Sequence, residues 1–163
     1  MVSFMGTPLS ESAQKVQDAI NRLGLTCEVM ELPDSTRTAQ EAAQAIGCRV
    51  EQIAKSLVFQ GRKSNRPILV IASGANRVNE KRLRDLVSEP VRKADADFVR
   101  EHTGYAIGGI PPVGHTQCIE TFLDEDLLKL GEIWAAAGTP HAVFKLTAED
   151  LVKMTQGKVV PIT

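Results

Sequence analysis

Apolar positions along the chain change period several times, and each change marks an element. Over 10–23, Ala13, Val16, Ile20 and Leu23 recur at helical spacing and Gly24 offers a stop, which predicts a first helix. The next eight residues, 25–32, alternate as a half-buried strand does, until Pro33 ends them. A loop is expected over 33–37. Thr38 and Glu41 then have the spacing of a capping box, ahead of Ala42, Ala43, Ala45 and Ile46 with Gly47 behind them, so a short helix is expected there. One further turn of helix over 50–53 leads into a strand over 56–60. The polar turn GRKSNR (61–66) and the apolar run PILVIA (67–72) complete a hairpin.

Leu83, Leu86 and Val87 share one face of a helix over 79–87. A short strand at 91–93 and a helix over 95–102 follow, and then the glycine- and proline-rich stretch 104–114. Strands are expected at 118–123, 133–136 and 141–146, with a turn or short helix over 124–130 and a final helix over 147–154. Strands and helices in this mixed order favour an α/β (α+β) fold on a mixed sheet. No linker or repeat divides residues 1–163, which are expected to form a single domain.

Composition narrows the class of protein. Of the 163 residues, 43% are hydrophobic and 24% charged, the profile of a globular chain. The start, MVSFMG (1–6), carries neither a basic region nor a long apolar run, and no apolar stretch is long enough to span a bilayer. A cytoplasmic protein without membrane contact is the expectation. Cys27, Cys48 and Cys118 are odd in number and widely spaced, a pattern of free thiols rather than of a zinc site or disulfide framework. The net charge of −1 argues against a general nucleic-acid coat, and no DNA partner is expected. Ten basic residues nevertheless fall between 62 and 100, among them Arg62, Lys63, Arg66, Arg92 and Lys93, while acids dominate 120–150. The basic middle is read either as a surface for a phosphate backbone or as solvated helix faces.

Three features are candidates for chemistry. Lys55 stands inside the apolar motif IAKSLVF (53–59), where it is read as a cationic anchor for a phosphate or as a Lys snorkelling at a strand start. The stretch GYAIGGIPPVGH (104–115) pairs glycine freedom with proline stiffness. It is either a loop that aims backbone N–H groups at one oxygen or a long surface turn. The GTPH turn (138–141) delivers His141 to a strand start, as a pocket residue or as a structural one. No HExxH, GxSxG, P-loop or dinucleotide fingerprint is present, and Ser56 and Ser73 have no base beside them in sequence. Chemistry without a metal or cofactor is expected.

Taken in order, TAQEAA (38–43), IAKSLVF (53–59), GYAIGGIPPVG (104–114), Ala137-Gly138 and the strand and helix over 141–154 resemble the YbaK/prolyl-tRNA-editing family. The resemblance spans roughly 10–155. It implies a mixed, partly barrel-like sheet flanked by helices, and hydrolysis in trans of mischarged aminoacyl-tRNA bearing Ala, Ser, Thr or Cys, on proline tRNA among others. It implies that Lys55 holds the 3′-terminal nucleotide, and that Gly108 and Pro112 match the family's G-x-x-x-P loop, whose amides hold the ester. Gly109 joins them in the implied catalytic set, and Ile110, Gly114, Gly138 and His141 form the implied substrate-binding set. The implied partners are the 3′ end of aminoacyl-tRNA and an aminoacyl-tRNA synthetase. Pro111 departs from the family pattern by making a Pro-Pro pair, as does His115 after the last glycine. Two other readings stay open: a non-catalytic module that binds tRNA or a synthetase, and a sensor of a nucleotide or phosphate ligand.

Overall fold

The computed structural model describes residues 8–163. The expectation drawn from residues 1–6 lies outside these. Five α-helices and eight strands are formed among the described residues. The sheet runs β1(Val29–Glu31), β7(Ala142–Leu146), β6(Ile133–Ala136), β2(Ile53–Gly61), β3(Pro67–Ser73), β5(Glu120–Asp124), β8(Lys158–Val160), and β4(Val91–Lys93) also pairs with β2. Pairings are antiparallel except for β2 with β6, β3 with β5 and β5 with β8. The sheet is mixed, as expected, and it stays open, with β1 and β8 as its edges.

Every helix begins where its capping residue stands. Ser10 Oγ accepts from Ala13 N ahead of α1(Glu11–Arg22), and Thr38 and Glu41 close a reciprocal capping box on α2(Ala39–Ile46). Asn79 caps α3(Glu80–Val87), Asp95 caps α4(Ala96–Thr103), and Thr147 with Asp150 boxes α5(Ala148–Thr155). These side chains satisfy amide groups that the first turn of a helix leaves without partners.

β3 is buried along its whole length because both faces of the sheet are covered. Leu69 and Ile71 face one layer with Val16 and Ile20 of α1, Val99 of α4 and Leu151 of α5. Ile68, Val70 and Ala72 face the other, with Leu83 and Val87 of α3. α2 packs separately, Ala42 and Ala43 meeting Ile53 beside Trp134.

The structure moves several predicted boundaries. The first strand is three residues rather than eight, since only Val29–Glu31 finds a partner, in β7. β2 begins at Ile53 rather than 56, which puts Lys55 inside the strand opposite Ala72. The turn before it is a 3-10 turn, Val50–Gln52. β5 runs Glu120–Asp124 rather than 118–123. β8 has no counterpart in the sequence reading: its three residues are too few to show a period.

Candidate active site

β2 shares one side with two short strands. Ile53 and Ala54 pair with β6, while Phe59, Gln60 and Gly61 pair with β4. Ala94 N also donates to Val58 O, at 3.1 Å. Between these two pairings Lys55, Ser56 and Leu57 border a cavity of about 210 Å³. Its other walls are Thr36–Ala39 and Ala42, Trp134–Ala136 of β6, and Ile107, Gly108 and Ile110 of the loop after α4. A second hollow of about 440 Å³, beside Cys27, Lys145 and Asp150, holds none of the three features read as candidates for chemistry.

Lys55 is half-buried, and desolvation pushes its ammonium below the ordinary lysine value. The Lys93 charge pushes the same way and Asp124 opposes both. An anion in the cavity would favour the charged form. Arg37 adds a second cation at the same wall, its side chain lying across Gly108.

The 104–115 loop is braced from several sides. Gly104 closes α4 in the left-handed conformation. Tyr105 Oη donates to Gly114 O at 3.0 Å. His115 Nε2 donates to Pro111 O at 2.7 Å, and burial lowers the imidazole below its ordinary value. Gly138 N donates to Gly109 O at 2.8 Å, tying the loop to the 138–141 turn. Two glycines are required by contact. At Gly108 φ is +95°, and a Cβ would lie 2.6 Å from Arg37 Cγ. At Gly109 a Cβ would lie 2.9 Å from the backbone of Thr139.

Of the residues singled out in the sequence, Lys55, Gly108 and Ile110 line the one cavity. Gly109 stands behind them, and its N–H is spent on Ala106 O at 3.1 Å. Among the described residues no hydrogen bond engages the Gly108 or Ile110 N–H. Pro112 is buried, and Gly114 and Gly138 serve as points of bracing. His141 is exposed and contacts the cavity nowhere; its Nδ1 donates to Asp34 O at 3.1 Å. Thr36, Arg37 and Trp134 line the site and were passed over in the sequence, the first two inside a segment read only as loop. The polar string STRT (35–38) ahead of the capping box was the available signal. Among the described residues no group of three or more His, Cys, Asp or Glu is placed to hold a metal, and no helix is long and apolar enough to cross a membrane.

A family model for the aminoacyl-tRNA editing domain matches residues 33–154, which include the whole cavity wall. The chain belongs to the aminoacyl-tRNA editing domain family. Editing of this kind removes the amino acid from its tRNA by hydrolysis, so this editing domain is an aminoacyl-tRNA deacylase, as the resemblance implied. The uncharacterized protein YwhH of Bacillus subtilis is 32% identical over 132 residues, covering 81% of this chain and 83% of its own. EbsC of Enterococcus faecalis, named as a candidate Cys-tRNA(Pro)/Cys-tRNA(Cys) deacylase, is 26% identical over 127 residues, 77% of each chain. A solved structure described as a candidate trans-editing enzyme for prolyl tRNA synthetase is 48% identical. It superposes with a TM-score of 0.90 over 96% of this chain and 99% of that one.

Proposed function

We propose that this deacylase acts in trans on tRNA mischarged with a small amino acid, and that the cavity between β2 and the 104–115 loop is where the 3′ end is hydrolysed. The observation that carries this reading is the meeting of Lys55 and Gly108, 53 positions apart, across one small cavity. Lys55, helped by Arg37, holds a phosphate of the terminal nucleotide, and desolvation strengthens that pairing. The Gly108 and Ile110 amides, which no other hydrogen bond engages and whose residues line the cavity, hold the oxyanion as the ester carbon becomes tetrahedral. Gly109 N–H is already committed and takes no part, which narrows the expectation that successive loop amides act together.

Among the described residues, no Asp, Glu, His or Cys lines the cavity. A hydroxyl of the terminal ribose therefore orients the attacking water, and fixing an already reactive ester in place supplies most of the acceleration. The likeness to a candidate trans-editing enzyme for prolyl tRNA synthetase and to EbsC supports proline tRNA as a carrier, a synthetase as a further partner and the cytoplasm as the compartment.

Deacylation of Ala-, Ser-, Thr- and Cys-charged tRNA, against a control without protein, tests the reading. Lys55→Ala should lower kcat/KM about ten- to a hundredfold, the range of a lost charge-assisted hydrogen bond. Equal rates for Lys55→Ala and the wild type would remove Lys55 from the mechanism.

A further inference from the structure

We propose that Thr36 and Ser56 read a hydroxyl on the amino acid being removed, so that the site takes seryl and threonyl esters in preference to alanyl ones. This rests on the deacylase reading of the same cavity. Among the described residues, two buried side-chain oxygens have no hydrogen-bond partner, Thr36 Oγ1 and Ser56 Oγ. Both residues line this cavity. Buried hydroxyls are nearly always bonded, because leaving one without a partner carries its full desolvation cost. Two such groups, each on a residue that borders one cavity and each shut off from it in the present rotamer, point to a ligand that supplies the missing partner once the side chains turn.

The surroundings say what kind of group that is. Around the two hydroxyls the wall is apolar, formed by residues such as Ile53, Ala54, Ile110, Ala135 and Val143. Charge enters through Lys55 and Arg37, which the phosphate occupies in the reading above. Thr36 is 5% exposed and its N–H donates to Pro140 O at 2.6 Å, which fixes its backbone beside the turn that braces Gly109. Its neighbour Arg37 crosses Gly108, so Thr36 stands next to the part of the loop assigned to the ester. Ser56 approaches from β2, adjacent to Lys55. Both oxygens are closed off, and neither gives up a hydrogen bond when its side chain turns about χ1 toward a ligand.

A seryl or threonyl hydroxyl donates one hydrogen bond and accepts others, so it can satisfy both groups at once. An alanyl methyl leaves both without partners, and a cysteinyl thiol is a weak donor and acceptor. Sites built to hydrogen-bond a substrate hydroxyl reject the analogue that lacks it far more strongly than apolar pockets reject an added methylene.

The experiment compares kcat/KM for Ser-, Thr- and Ala-charged tRNA of one sequence, in the wild type, Thr36→Val, Thr36→Ser and Ser56→Ala. The wild type should favour the seryl over the alanyl ester by about tenfold or more, and Thr36→Val and Ser56→Ala should each cut that ratio about tenfold. Thr36→Ser should keep it. The ratio is read within one preparation, so partial unfolding lowers both rates and leaves it unchanged. Equal wild-type rates for the seryl and alanyl esters overturn the proposal. So does an unchanged ratio in both hydroxyl-deleting variants, which would assign the hydroxyls to the ribose or ester common to all substrates. A wild type that hydrolyses none of the esters removes the deacylase reading itself, and this inference with it.

Discussion

Gly109 shows how one missing methyl group holds the site together. Its carbonyl accepts from Gly138 N and its Cα lies against Thr139, where a Cβ would meet backbone atoms at 2.9 Å. A flexible side chain could step aside from such a contact, whereas the Thr139 backbone sits in a turn held by Gly138 N to Gly109 O and Ala142 N to Thr139 O. Gly109→Ala is therefore expected to destabilise the chain by about 1–3 kcal/mol, the range for overpacking, and to slow deacylation by displacing Gly108 and Ile110. Gly131 has open space where its Cβ would go, and Gly131→Ala should stay within about 0.5 kcal/mol of the wild type. Thermal unfolding of the two variants, with single-turnover deacylation alongside, checks the contrast. At this scale the sequence singled out Lys55 and the loop, whose residue types are unusual where they stand. It passed over Thr36 and Arg37, which become informative only once Arg37 lies across Gly108.

Elements with local causes were legible; elements with distant partners were less so. The predicted helix starts fall at the capping residues, and the cap itself was read at Thr38 with Glu41, because a cap acts within three residues of itself; Thr147 does the same with Asp150 in the structure. The β2–β3 hairpin was likewise legible, but what secures its turn was hidden. Glu89, between α3 and β4, accepts from Lys63 N at 2.9 Å, Ser64 N at 3.0 Å, Ser64 Oγ at 2.7 Å and Arg66 Nε at 3.3 Å. These donors, the Ser64 N–H foremost, hold the Glu89 carboxyl down at about 2, against an ordinary value of 4.5. A carboxyl with a depressed folded value contributes its stabilisation fully above the ordinary value and loses it as the pH falls toward the folded one. The stability gap between the wild type and Glu89→Gln should thus be full above pH 4.5 and close progressively toward pH 2. Urea unfolding across that range measures it, and a gap independent of pH would show that the carboxylate is not the gripping group. Arg66 also pairs with Glu120, so part of the basic middle serves the fold rather than a nucleic acid.

At the scale of the molecule, the sheet is completed from both ends of the described chain. β1 and β8 lie outside residues 33–154, the span matched by the family model, yet they form the two edges. Beyond β8, Ile162 is 4% exposed against Phe122, Leu83 and Val160, its carbonyl accepts from Asn79 N, and the Thr163 carbonyl accepts from Arg82 Nε. The C-terminal residues therefore fasten α3 to the sheet. Ile162→Ala should cost about 2–5 kcal/mol in a urea titration, the range for emptying a buried aliphatic site, although the residue is far from the cavity. The sequence by itself determined the helices, the capping box at Thr38, the hairpin, the mixed α/β class and the family, because these are written in periods and motifs a few residues long. Only the tertiary structure decided that β4 and β6 share one side of β2 and leave a cavity at Lys55, that Gly109 N–H is spent while the Gly108 and Ile110 amides are free, and that Thr36 and Ser56 border the same cavity with hydroxyls that lack partners. The reason is physical: whether a polar group is committed or available depends on atoms brought in from elsewhere in the chain, and no local pattern records them.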